Sequence, residues 1–86
     1  MSEANPSPFA CDLEEFKRVV AKFINHAANF DITFDALSQA HKLVGLSYLN
    51  LIVKERSDIP IAVSYLEFAN KRFIDREVEF NIKGEI

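Results

Sequence analysis

Leu13, Phe16, Val20, Phe23 and Ala27 recur at alternating spacings of three and four. That recurrence places five apolar side chains on one side of a 3.6-residue helix, and such a stripe must be buried against another element. Asp12 stands immediately before the stripe as a helix N-cap, and Glu15, three residues on, makes a D-x-x-E variant of the capping box. Glu14 and Arg18 form an i,i+4 pair in the favourable order. The pattern predicts a first helix over about 13–28. Phe9, Phe16, Phe23 and Phe30 also stand seven apart. Two helical heptads are too few for a coiled coil, but they suit shallow-angle packing of the kind found in bundles.

A second helix is expected over about 34–56. Thr33 is its N-cap, Ile32 is placed to staple onto Leu37, and Asp35 suits the positive end of the helix dipole. Lys54 and Arg56 suit the other end. At about 1.5 Å per residue such a helix would span roughly 33 Å. It is not uniformly amphipathic: between Leu43 and Val53, eight of eleven residues are large and apolar. Gly45 interrupts it at a cost of roughly 1 kcal/mol relative to Ala, a residue choice that suits close approach of another backbone.

A third helix is expected over about 59–76. Asp58 is its N-cap and Pro60 sits in the first turn, where a missing N–H does no harm. Ile59, Ala62, Leu66, Ala69 and Phe73 form its stripe, and Glu67 and Lys71 an i,i+4 pair. Ile61–Phe68 is rich in β-formers, which keeps a strand there as the alternative. The period then changes. Val78, Phe80 and Ile82 alternate with Glu79, Asn81 and Lys83, the pattern of an extended arm or short strand. The fold class these signals define is all-α: an antiparallel three-helix bundle with an extended or short-strand C-terminal arm. Residues 1–8, with Pro6 and Pro8, read as a flexible leader, and residues 9–86 as one helical domain.

Composition supports that reading and narrows the function. Of 86 residues, 49% are hydrophobic, with only two Gly and three Pro, which excludes a disordered or low-complexity chain. A single Cys excludes an internal disulfide. No unbroken apolar run exceeds three residues, as in Leu51-Ile52-Val53, far short of the roughly 20 residues a membrane helix needs. The N-terminus carries an acid and two prolines instead of the basic and apolar regions of a signal peptide, so a cytoplasmic location is expected. A net charge of −3 gives no basic excess for neutralising phosphates.

No catalytic constellation emerges. Cys11, His26 and His41 lie fifteen residues apart, outside zinc-site spacings, so no metal or other cofactor is expected. Cys11 precedes a helix, but Asp12, Glu14 and Glu15 oppose activation of its thiol. The acid pairs Glu14/Glu15 and Asp31/Asp35 read as solvated helix starts, and no glycine-rich phosphate loop exists.

The apolar surplus of the second helix is the feature most in need of explanation, because a chain this short buries only about 60% of its unfolded surface. A partner surface accounts for it. The expectation is a small non-enzymatic interaction module, a regulator, inhibitor or adaptor, acting as a homodimer. Its interface would comprise Leu46, Leu49, Ile52, Val53, Val78 and Phe80. One alternative is a helical DNA-binding regulator using the Gly45 region or a patch of Lys71, Arg72 and Arg76. That patch is flanked by Glu67, Asp75, Glu77 and Glu79, so a salt-bridged surface explains it better. The other alternative is a bundle holding a small ligand between Phe-lined helices.

Overall fold

The computed structural model describes residues 10–85, so the leader expected over residues 1–8 lies outside the described residues, as does Phe9. Three helices account for most of the chain: α1 (Leu13–Ala27), α2 (Phe34–Leu49) and α3 (Asp58–Lys83). Each packs on both of the others. The all-α three-helix bundle is therefore the observed architecture, and no strand occurs among the described residues.

Local signals place the first two helix starts. The Asp12 carboxylate accepts from the Glu15 backbone N–H at 2.9 Å, and the Thr33 hydroxyl oxygen accepts from that of Ala36 at 3.1 Å. Each satisfies an amide that has no partner within its helix. The expected Glu14–Arg18 pair is instead two i,i+3 pairs, Glu14–Lys17 at 3.4 Å and Glu15–Arg18 at 3.0 Å. Glu67 and Lys71 form no ion pair among the described residues.

The end of α2 differs from the expected boundary near residue 56. The helix stops at Leu49, where Asn50 takes the cap position and its side-chain amide donates to the Leu46 carbonyl at 2.8 Å. Beyond it the chain is extended. Leu51 bridges Cys11 in parallel, and the Ile52 N–H donates to the Cys11 carbonyl at 2.8 Å. The β-branched pair Ile52-Val53 suits this extended course better than a helix interior. The apolar run Leu43–Val53 is thus divided between a helix and a connection. α3 begins after Ser57, not Asp58, and no side chain caps it.

The expected C-terminal arm is a further correction. Val78, Phe80 and Ile82 belong to α3, which runs without a break from Ile61–Phe68 through to Lys83. It ends at Gly84, whose φ of 76° is the left-handed conformation that closes helices. The two-residue alternation is incidental to a longer helical stripe. Ala62, Leu66, Ala69, Phe73, Arg76 and Phe80 recur at three and four and face the other helices. Arg76 occupies one position of that stripe, which hides the periodicity from a reading confined to apolar residues.

Phe16, Phe23, Leu37, Val20 and Val44 are the largest fully buried side chains. Aromatic contacts link all three helices. Phe23 of α1 meets His41 of α2 at 5.6 Å between centroids. His41 stacks on Phe73 of α3 at 4.2 Å and 4°, and Phe34 of α2 contacts both Phe73 and Phe80. Such pairs contribute about 0.5–1.5 kcal/mol each beyond area burial. Phe30, the last member of the heptad series, is exposed in the α1–α2 connection. Open space surrounds the position a Gly45 side chain would take, so among the described residues no other segment makes the close approach its position suggested.

Candidate interaction surfaces

The residues expected at an interface fall into two patches and one buried position. Leu46 and Leu49 lie on α2, the latter 79% exposed, and Ile52 and Val53 follow in the connection, all four open to solvent. Around this end Val53 joins Ile59, Tyr48, Leu51 and Ala62 in lining an apolar depression of about 180 Å³. Val78 is exposed on α3, near the start of α2, since Phe34 contacts Phe80 two residues on. About fifteen residues of α2 separate the two patches, or roughly 22 Å of helix rise. Phe80 itself is 5% exposed and packs in the chain's own core, so it is not available to a partner.

Sequence reasoning missed Ile74, and reached Ile82 only as part of an extended tail. With Val78 they form an exposed row at four-residue spacing, and the row is visible only once the tail is helical. Ile59, Ile61 and Phe68 are also exposed on α3. No large apolar residue of α1 is exposed. The outer side of α1 presents Glu14, Arg18, Lys22 and Asn25 instead. Among the described residues, the large exposed apolar side chains therefore lie on α2, α3 and the connections.

Lys71 and Arg72 are exposed, but Arg76 is buried and does not join them. Its Nη1 donates to the carbonyls of Ala27 and, at 3.3 Å, Asn29. Its Nε lies 3.1 Å from Glu79 Oε1, an ion pair whose N–H is not aligned for a hydrogen bond. The guanidinium also lies over the Phe80 ring at 5.2 Å. All of this holds the α1 terminus against α3, and leaves two exposed cations where three were expected for phosphate contact.

Cys11, His26 and His41 do not converge. Among the described residues no group of three or more His, Cys, Asp or Glu is arranged to hold a metal ion. His41 is hydrogen-bonded to Asn70 Oδ1 at 2.8 Å and sandwiched in the aromatic contacts, while His26 is exposed at the end of α1. Cys11 is buried, and its thiol donates to the Ser47 carbonyl at 3.6 Å. Burial, then the charges of Glu15 and Asp12, push its pKa above the ordinary value of 9.0. That is the opposite of what a nucleophilic cysteine needs. Among the described residues, no helix is long and apolar enough to cross a membrane.

No protein-family model, curated protein or solved structure matches this chain.

Proposed function

We propose that this chain is a small non-enzymatic interaction protein, a regulator, inhibitor or adaptor, that assembles as a homodimer through apolar side chains of α2, α3 and the connection between them. The observation that carries the reading is the uneven distribution of exposed apolar surface. α1 shows solvent a polar face, whereas Leu43, Leu46, Leu49, Ile52 and Val53, and the row Ile74, Val78 and Ile82, are open. Contiguous apolar patches beyond a few hundred Å² mark interaction sites. Burial at about 25 cal/mol per Å² makes such a patch worth several kcal/mol before the costs of association.

The dimer reading takes neighbouring helices as antiparallel, a course supported by the short connections and by Cys11 lying beside Leu51. A single buried, free thiol supports a cytoplasmic setting, where thiols stay reduced.

Sedimentation equilibrium at low micromolar concentration tests the assembly, with an expected mass of about twice the 9.8 kDa chain. Leu49→Lys should return the monomer with far-ultraviolet helicity intact, since a cation suits a helix C-terminus. A wild-type chain that sediments as a monomer overturns the homodimer.

A further inference from the structure

A second surface, which shares only Leu43 with the apolar patch of α2, carries a further inference. Along the seam between α1 and α2 runs an open groove of about 420 Å³. Its floor is apolar, formed by Val19, Phe23, Ala40 and Leu43. Its α1 wall carries Arg18, Lys22 and His26, one residue every four. Side chains four apart lie in a row along a helix, so the cations of Arg18 and Lys22 and the His26 imidazole follow one another about 6 Å apart. The one acid in the lining is Glu15, whose carboxylate is already held by Arg18 at 3.0 Å. Lys22 has no intramolecular ion pair among the described residues. With Glu15 and Arg18 offsetting each other and histidine neutral at pH 7, Lys22 leaves the lining with a net charge of +1 in a chain of −3, beside the exposed side chain of Leu43.

We propose that the α1–α2 groove docks an acidic amphipathic helix of a partner protein. A helix laid along the seam places its apolar side chains on Val19, Ala40 and Leu43. Glu or Asp residues at four-residue spacing on its flank then run in step with Arg18, Lys22 and His26, because both rows repeat with the helical pitch. The apolar floor supplies affinity and the basic row sets orientation and partner choice.

The test uses two synthetic eighteen-residue helical peptides with identical leucine stripes, one with a flanking row of Glu and one with Lys in its place. Each is titrated against the full, isotope-labelled chain at low salt, and amide shifts are followed by NMR. The expected result is binding of the Glu peptide at least about tenfold tighter than the Lys peptide, with shifts at Val19, Lys22, Ala40 and Leu43. The net charge of the chain alone favours the Lys peptide, so the preference reports the groove and not bulk electrostatics. Lys22→Glu, an exposed helix position whose exchange should leave folding intact, should abolish the preference. Equal binding, tighter binding of the Lys peptide, shifts confined to the α2–α3 patches, or an unchanged preference in Lys22→Glu would each overturn the proposal.

Discussion

Arg76 donates to the carbonyl of Ala27, the last residue of α1, across 49 residues of sequence. The last carbonyls of a helix have no partner within it, and here a guanidinium from the middle of α3 supplies one at Ala27 and reaches Asn29 beyond. The aliphatic stem lies in the α3 stripe, so the side chain is core along its length and a cap at its tip.

Removing that side chain should be costly. Arg76→Ala leaves two acceptors without their charged donor and opens space beside Phe80, and should lower unfolding free energy by about 2–3 kcal/mol in urea denaturation. Arg76→Lys should recover only part of this, because one ammonium cannot reproduce the planar fork. A loss within about 0.5 kcal/mol for Arg76→Ala would show that the contact is energetically idle.

Gly45 offers the opposite outcome. It sits in the interior of α2 with open space where a methyl group would go. Gly45→Ala should therefore stabilise the chain by about 0.5–1 kcal/mol, read as a rise in melting temperature. If the substitution weakens self-association instead, a second copy makes the backbone approach that the described residues do not.

The His41–Asn70 contact joins α2 to α3 within the aromatic layer. Asn70→Ala leaves a half-buried ring nitrogen without its partner and should cost about 1 kcal/mol. Denaturant titration of the variant checks this, and an unchanged midpoint would mean that water replaces the amide.

Cys11 makes a prediction in pH. Its native pKa is raised by burial first and by Glu15 and Asp12 second. Below the unfolded value near 9.0 both states hold the proton and the group contributes no slope. Above it the unfolded chain loses its proton first, so stability falls as pH rises and levels off only past the higher native pKa. Comparing wild type with Cys11→Ala between pH 8 and 11 isolates this contribution from the other groups that titrate there. At pH 8 the native thiol should also alkylate at least about tenfold more slowly than in the denatured chain.

The starts of α1 and α2 and the stripe of α1 were legible because their determinants are local. Asp12 and Thr33 bond to amides three residues away, and five apolar side chains at three and four repeat within one element. The tail misled for the same reason: Val78, Phe80 and Ile82 alternate locally, while the helix that contains them is held by Phe80 against Phe34 and Arg76 against Ala27, contacts 46 and 49 residues distant. The end of α2 likewise depends on Cys11 offering its carbonyl to Ile52.

The candidate surfaces divide in the same way. The apolar surplus was visible in composition, and exposed Leu49, Ile52 and Val53 lie where it was concentrated. That Phe80 and Arg76 turn inward while Ile74 and Ile82 turn outward depends on how α3 is rotated against its neighbours. Sequence alone determined where the three helices begin and that each carries an apolar face to bury; the packing of three helices decided where α2 and α3 end and which side of each is buried, because a stripe broken by one arginine can be recognised only once that arginine has found its carbonyls.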